Sequence, residues 1–126
     1  MIIYGYISLA LKILSVPDTV SNRVRKELDG FHAKLHGQQI QEFPCYLIGQ
    51  LSRSSNVPKD AVSGKQLIGF ACDVAAAAVD AVGGRYIMAE CRNEEKLIRF
   101  YERNHVREIA RVSDKDQTMV QLIRRL

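Results

Sequence analysis

Two rhythms of apolar residues divide this chain into strands and helices. Ile2–Leu14 carries Ile, Tyr and Leu on both faces, the pattern of a strand buried on both sides. Pro17-Asp18 breaks it. Val20, Val24 and Leu28 then recur at every fourth position among Arg23, Arg25, Lys26 and Glu27. That spacing predicts a short amphipathic helix over Val20–Leu28, stopped by Gly30. Residues 32–42 are polar and read as a mobile connection.

Phe43–Leu51 predicts a second strand, with Pro44 at its start, where no ladder donor is needed. A polar loop follows, and Ser63 is the expected cap of a long helix. In that helix Leu67, Ile68, Ala71, Val74, Ala75, Ala78, Val79 and Val82 form one wide apolar face, and Gly83-Gly84 ends it. Arg85–Cys91 predicts a third strand. Asn93 is the expected cap of a helix over Glu94–Arg103, with Glu95 and Arg99 spaced as an ion pair and Asn104 as a left-handed terminator. His105–Val112 and Thr118–Leu126 predict two last strands around the turn SDKDQ. Helices alternating with strands, then a terminal hairpin, imply one α/β (α+β) domain over residues 1–126, a mixed sheet with helices packed on its faces.

Composition narrows the class without choosing a function. An apolar fraction of 47% and a charged fraction of 25% in 126 residues are those of an ordinary globular domain. No apolar run reaches the roughly 20 residues that span a bilayer. The opening MIIYGYISLALKIL lacks a basic region and a cleavage site, so it reads as a strand and not a signal peptide. Cys45, Cys72 and Cys91 are odd in number and form no CxxC pair, which predicts reduced thiols, a cytoplasmic location and no structural zinc. A net charge of +4 suits an anionic partner.

The candidate chemistry lies where a strand passes through a loop into a helix N-terminus. Free backbone N–H groups and the positive dipole end make such a junction an anion site. Here it is Lys59–Gly64, KDAVSG, with Lys65 just inside the helix. It is not a Walker loop, because SGK lacks the first Gly and the following Ser or Thr, and it is not a three-glycine dinucleotide loop. His32 and His36 have no carboxylate or thiol partner for a metal, and no Ser-His-Asp set is suggested. The Arg23/Arg25/Lys26 group and Arg124-Arg125 read as solvated faces or as contacts to nucleic acid. Tyr101 follows Leu97 by four positions, which by periodicity alone makes it a core aromatic.

Taken in order, these pieces resemble, over residues 43–106, the coenzyme-A-binding half of a GNAT-type N-acetyltransferase. They are the strand ending in LIGQL, the loop into SGKQLI, the Ala-rich helix, the strand YIMAEC and the helix NEEKLIRFYERN. The resemblance implies an acyl-CoA N-acyltransferase-like fold, a mixed, mostly antiparallel sheet with helices on both faces. In that family a strand splays from its neighbour and holds the pantetheine arm through its backbone, here around Leu51, Ser52 and Arg53. A loop of the form Q/R-x-x-G-x-G/A then holds the pyrophosphate. Aligned on the helix, it is Lys59, Asp60, Ala61, Val62, Ser63 and Gly64, followed by Lys65. Only the last glycine matches: Lys59 stands for Gln or Arg, and Val62 for the first glycine. The family opens its next helix with Asn and closes it with F-Y-x-x-x-G-F. This chain has Asn93, then Phe100-Tyr101, with His105 and Val106 in place of Gly and Phe.

The resemblance implies acetyl-CoA as cofactor, Asn93 as a contact to it, and Tyr101 as the acid that protonates the departing thiolate. It implies a small-molecule or peptide amine as acceptor and no metal. Against the family pattern the chain is N-terminally truncated, with Val16–Gln41 as an insertion between two sheet strands. A homodimer or a partner chain is expected over the open sheet. Two other functions fit: a non-catalytic coenzyme-A- or partner-binding remnant of the fold, and a GNAT acting on aminoacyl-tRNA. The chain shows no aromatic-and-basic stripe of the kind RNA modules use.

Overall fold

The computed structural model describes residues 5–53, 62–82 and 85–126. Its elements run β1 (Gly5–Ser15), α1 (Asn22–Asp29), β2 (Lys34–Leu35), β3 (Gln38–Gln39), β4 (Glu42–Arg53), α2 (Gly64–Val82), β5 (Tyr86–Arg92), α3 (Glu95–Arg103), β6 (Arg107–Asp114) and β7 (Gln117–Arg125). Five strands form one sheet in the order β1-β4-β5-β7-β6, antiparallel except for β4 against β5. That parallel pair needs a crossover, and α2 supplies it.

Alternation along β5 sorts the core onto two faces. Ile87, Ala89 and Cys91 point to one face, where Ile68, Ala71 and Ala75 of α2 lie on them and Leu97, Ile98 and Tyr101 of α3 join. Tyr86 and Met88 point to the other, covered by Leu28 of α1 and Val20 just before it, together with Leu14, Val16 and Phe43. The short side chains of α2 are what let a helix sit this close to a sheet, as the alanine run predicts.

The turns follow local chemistry. Ser21 caps α1 by accepting from the Val24 N–H at 3.2 Å, and Gly30 closes it at φ 95°. Two hairpins turn on two-residue loops with positive φ at both positions, His36-Gly37 between β2 and β3 and Lys115-Asp116 between β6 and β7. Such loops match the twist of the paired strands. The connection expected over residues 32–42 thus holds a small hairpin.

Four expectations are corrected. β1 is not buried on both sides: it is an edge strand paired only with β4, and Leu11 and Ile13 are 51% and 62% exposed. Arg25 is no surface cation. It is fully buried, and its guanidinium donates to the carbonyls of Val20 (3.1 Å), Pro17 (2.8 Å) and Ile40, tying the chain before α1 to the chain after it. Asn93 does not cap α3; Glu94 holds the cap position, and the Asn93 side chain accepts from Arg111 at 3.2 Å instead. Asn104 is not left-handed (φ −99°); His105 is, at φ 65°. There the Val106 N–H bonds the Tyr101 carbonyl and the His105 N–H bonds that of Glu102, the paired closure that ends many helices. The Gly83-Gly84 stop lies outside the described residues.

Candidate functional site

The parallel ladder between β4 and β5 is short. It joins Tyr46, Ile48 and the residue between them to Ile87–Ala89 and then stops, although β4 runs on to Arg53 and β5 to Arg92. Gly49 sits where they part. In the β1–β4 register Ser8 faces Gln50 and Leu9 faces Ile48, which leaves Gly49 unmatched as a bulge. A bulge bends its strand and ends pairing. A Cβ at Gly49 would lie 2.9 Å from the Ser8 hydroxyl, so the close approach of β1 favours glycine. Beyond it, the β5-facing edge of β4 has backbone groups with no ladder partner among the described residues, at the carboxyl ends of two parallel strands. That crevice is where ligands enter open α/β sheets.

The start of α2 meets the second half of α3. Ser63 caps α2 reciprocally with Gln66: its hydroxyl accepts from the Gln66 N–H (3.1 Å), and its own N–H donates to the Gln66 side chain (2.8 Å). Gly64 is glycine for a packing reason, since a Cβ there would lie 2.4 Å from the Phe100 ring. Next to this contact lies a cleft of about 630 Å³ lined by Lys65, Gly69, Phe100, Arg103, Asn104, His105 and Arg124. Among the described residues its lining has three formal cations and no carboxylate, which gives it a positive field. Its floor is fixed: Asn104 donates to the Phe100 carbonyl (2.8 Å), and Arg124 donates to the Asn104 carbonyl (3.1 Å).

Tyr101 lies half-buried in α3, packed against the core that contains Cys91. Burial, and after it the charge of the neighbouring Cys91, hold its phenol above its ordinary pKa. It therefore keeps its proton at neutral pH, the state a general acid needs. Cys91 is itself raised, by burial first and then by Glu108 and Glu94, and burial pushes the Cys45 thiol up to about 12. These thiols are poor nucleophiles.

The residues singled out in the sequence scatter more than the resemblance implies. Gly64, Lys65 and the helix of Tyr101 come together. Leu51 is half-buried against the core beneath α2, and the backbone of Ser52 pairs with Tyr6 and that of Arg53 with Gly5. Val62 is buried. Lys59, Asp60 and Ala61 lie outside the described residues. Asn93 lines a separate hollow of about 350 Å³ with Arg92, Glu94, Gln117 and Thr118. Gly49 and Arg103 were not among the candidates, and Arg124 was read only with Arg125, as a solvated face or a contact to nucleic acid. Gly49 stood within the LIGQL strand, but the cleft cations come from segments too distant in sequence to be associated.

No protein-family model matches the chain, and no curated protein matches its sequence. Among solved structures, a mutant of the toxin AtaT superposes with a TM-score of 0.63 at 17% identity, over 97% of this chain. The chain spans 58% of the length of that toxin chain. At this identity the likeness is one of fold, and the fold is GNAT-like.

Proposed function

We propose that this chain is an acetyl-CoA-dependent N-acetyltransferase of GNAT type. The observation that carries the reading is the parting of β4 from β5 at the Gly49 bulge, in a fold that also holds a cationic cleft between α2 and α3 and a half-buried tyrosine on α3. The residues suit the cofactor. The unpaired edge of β4 offers backbone hydrogen bonds to an amide-bearing arm, and Lys65, Arg103 and Arg124 offer charge to its phosphates. When bound, acetyl-CoA supplies the activated acyl group. The backbone of β4 polarises the carbonyl, and Tyr101 gives its proton to the departing sulfur. Asn93 has little part in this reading, because its side chain is engaged by Arg111.

Isothermal titration with acetyl-CoA and with its 3′-dephospho analogue tests the proposal. Micromolar binding that weakens when the phosphate is removed supports it, and absence of binding refutes it. The fold's likeness to a toxin and the net charge of +4 favour one second reading, in which the acceptor amine is carried on an aminoacyl-tRNA. RNA affinity that falls steeply with salt supports that acceptor; affinity indifferent to salt rules it out.

A further inference from the structure

The sheet ends on two strands that are built differently. β6, at one end, pairs only with β7 among the described residues. It is interrupted by a bulge at Ile109 and carries Arg107, Glu108, Arg111 and Asp114 within eight residues. Bulges and charges are how an edge strand refuses a further strand. β1, at the other end, runs for eleven residues with Lys12 as its one charge. The bulge beside it lies in β4, at Gly49, so β1 itself is unbroken. Its outer backbone edge has no partner among the described residues.

Side chains widen this edge into an apolar strip. Ile7, Leu9, Leu11 and Ile13 share the α2 face of β1 by alternation; the first two join the core, and the last two are exposed. α2 packs on β1 and β4, and α3 on β5 and β6. Lys65 and Gly69 mark the flank of α2 that meets α3. At about 100° per residue, Phe70 and Val74 fall on the other flank, above β1, and each is more than half exposed. α2 returns from the carboxyl end of β4, so it runs in the same direction as β1. Phe70 and Val74 therefore overhang the Ile7–Leu9 end of the strand, and the Leu11–Ile13 end is bare.

We infer that the β1 edge is the interface of a homodimer, in which β1 pairs antiparallel with its copy about a two-fold axis at Leu9 and the two sheets become one. Such an axis turns each end of the strip onto the other end of its copy. Leu11 falls opposite the copy's Ile7 and Ile13 opposite its Gly5, against the flank that carries the copy's Phe70 and Val74. The bare end of each protomer thus meets the overhang of the other. On the opposite face Lys12 falls opposite Tyr6, and Ser8 opposite Ala10, so no like charges meet. This self-complementarity is what selects a second copy as the occupant. The inference does not depend on the proposed acetyl transfer.

Size-exclusion chromatography with light scattering over a dilution series tests it. The wild-type chain is expected to be a dimer that dissociates on dilution. Leu11→Glu and Val74→Glu are each expected to raise the dimer Kd about tenfold or more, with circular dichroism and acetyl-CoA titration matching wild type because both side chains are exposed. Val74 lies on α2 and not on the strand, so its effect separates packing across the two-fold from strand pairing alone. Ser113→Glu, on the exposed face of the β6 edge, is expected to leave the Kd unchanged. A wild-type chain that stays monomeric at every concentration overturns the inference, whatever else covers the edge. So does a dimer that Ser113→Glu weakens, or one whose Kd ignores either Leu11→Glu or Val74→Glu.

Discussion

Two basic regions of this molecule put similar side chains to opposite uses. Around α1, Arg25 is buried and spends its guanidinium on three backbone carbonyls, and it forms no ion pair among the described residues. Between α2 and α3, Lys65 and Arg103 line an open cleft and make no hydrogen bond or ion pair with another described residue, while Arg124 bonds one carbonyl. A guanidinium whose donors are taken is a staple. Cations whose donors are free hold a field that an incoming anion can use. Charge in the sequence therefore says little about function until its partners are known.

The strongest way to break the comparison is Arg25→Leu. It orphans three carbonyls at roughly 1–3 kcal/mol each, so chemical denaturation is expected to show a loss on the order of 3–5 kcal/mol. Acetyl-CoA affinity of the folded protein stays as it was. A variant that keeps its stability and loses affinity instead would put Arg25 in the site. Next in size, Tyr101→Phe is expected to cut turnover about 10²-fold without changing acetyl-CoA affinity. An unaltered kcat takes Tyr101 out of the chemistry and leaves it as packing.

The cleft itself is tested by Lys65→Ala combined with Arg103→Ala. Acetyl-CoA affinity is expected to fall about tenfold at low salt, with the gap from wild type closing as salt shortens the Debye length. Stability is expected to stay within about 0.5 kcal/mol, as for most exposed substitutions. The same loss at every salt concentration would mean that the side chains act by shape and not by charge. The smallest effect is expected from His105→Gly. His105 holds φ 65°, and removing the left-handed penalty, less glycine's extra chain entropy, is expected to stabilise the fold by about 0.5–1 kcal/mol. If acetyl-CoA affinity falls in that variant while stability rises, the histidine is kept for the cleft; if affinity holds, it only ends α3.

Much of the element map was legible because it rests on local chemistry. The period of Val20, Val24 and Leu28 marked α1, Gly30 its end, Ser63 the start of α2 and the SDKDQ turn the last hairpin. Asn93 misled for an equally physical reason. An Asn ahead of a helix is a good cap until a better partner arrives, and Arg111 comes from a strand that only the sheet brings near. The candidate site was read in part: Gly64, Lys65 and Tyr101 share one region, whereas the cleft's other cations were not read as part of it.

The sequence by itself determined most of the turns, which of the longer stretches are helix or strand, and which helix face is apolar, since each depends on residues within a turn or two of one another; the small β2–β3 hairpin was not read from it. Only the tertiary structure decided that β1 is an edge and that β4 leaves β5 at Gly49. It alone buried Arg25 while leaving Lys65 and Arg103 open. Those outcomes depend on pairing and burial between segments tens of residues apart, where a side chain's environment is fixed by its neighbours in space and its own identity only limits what it can do there.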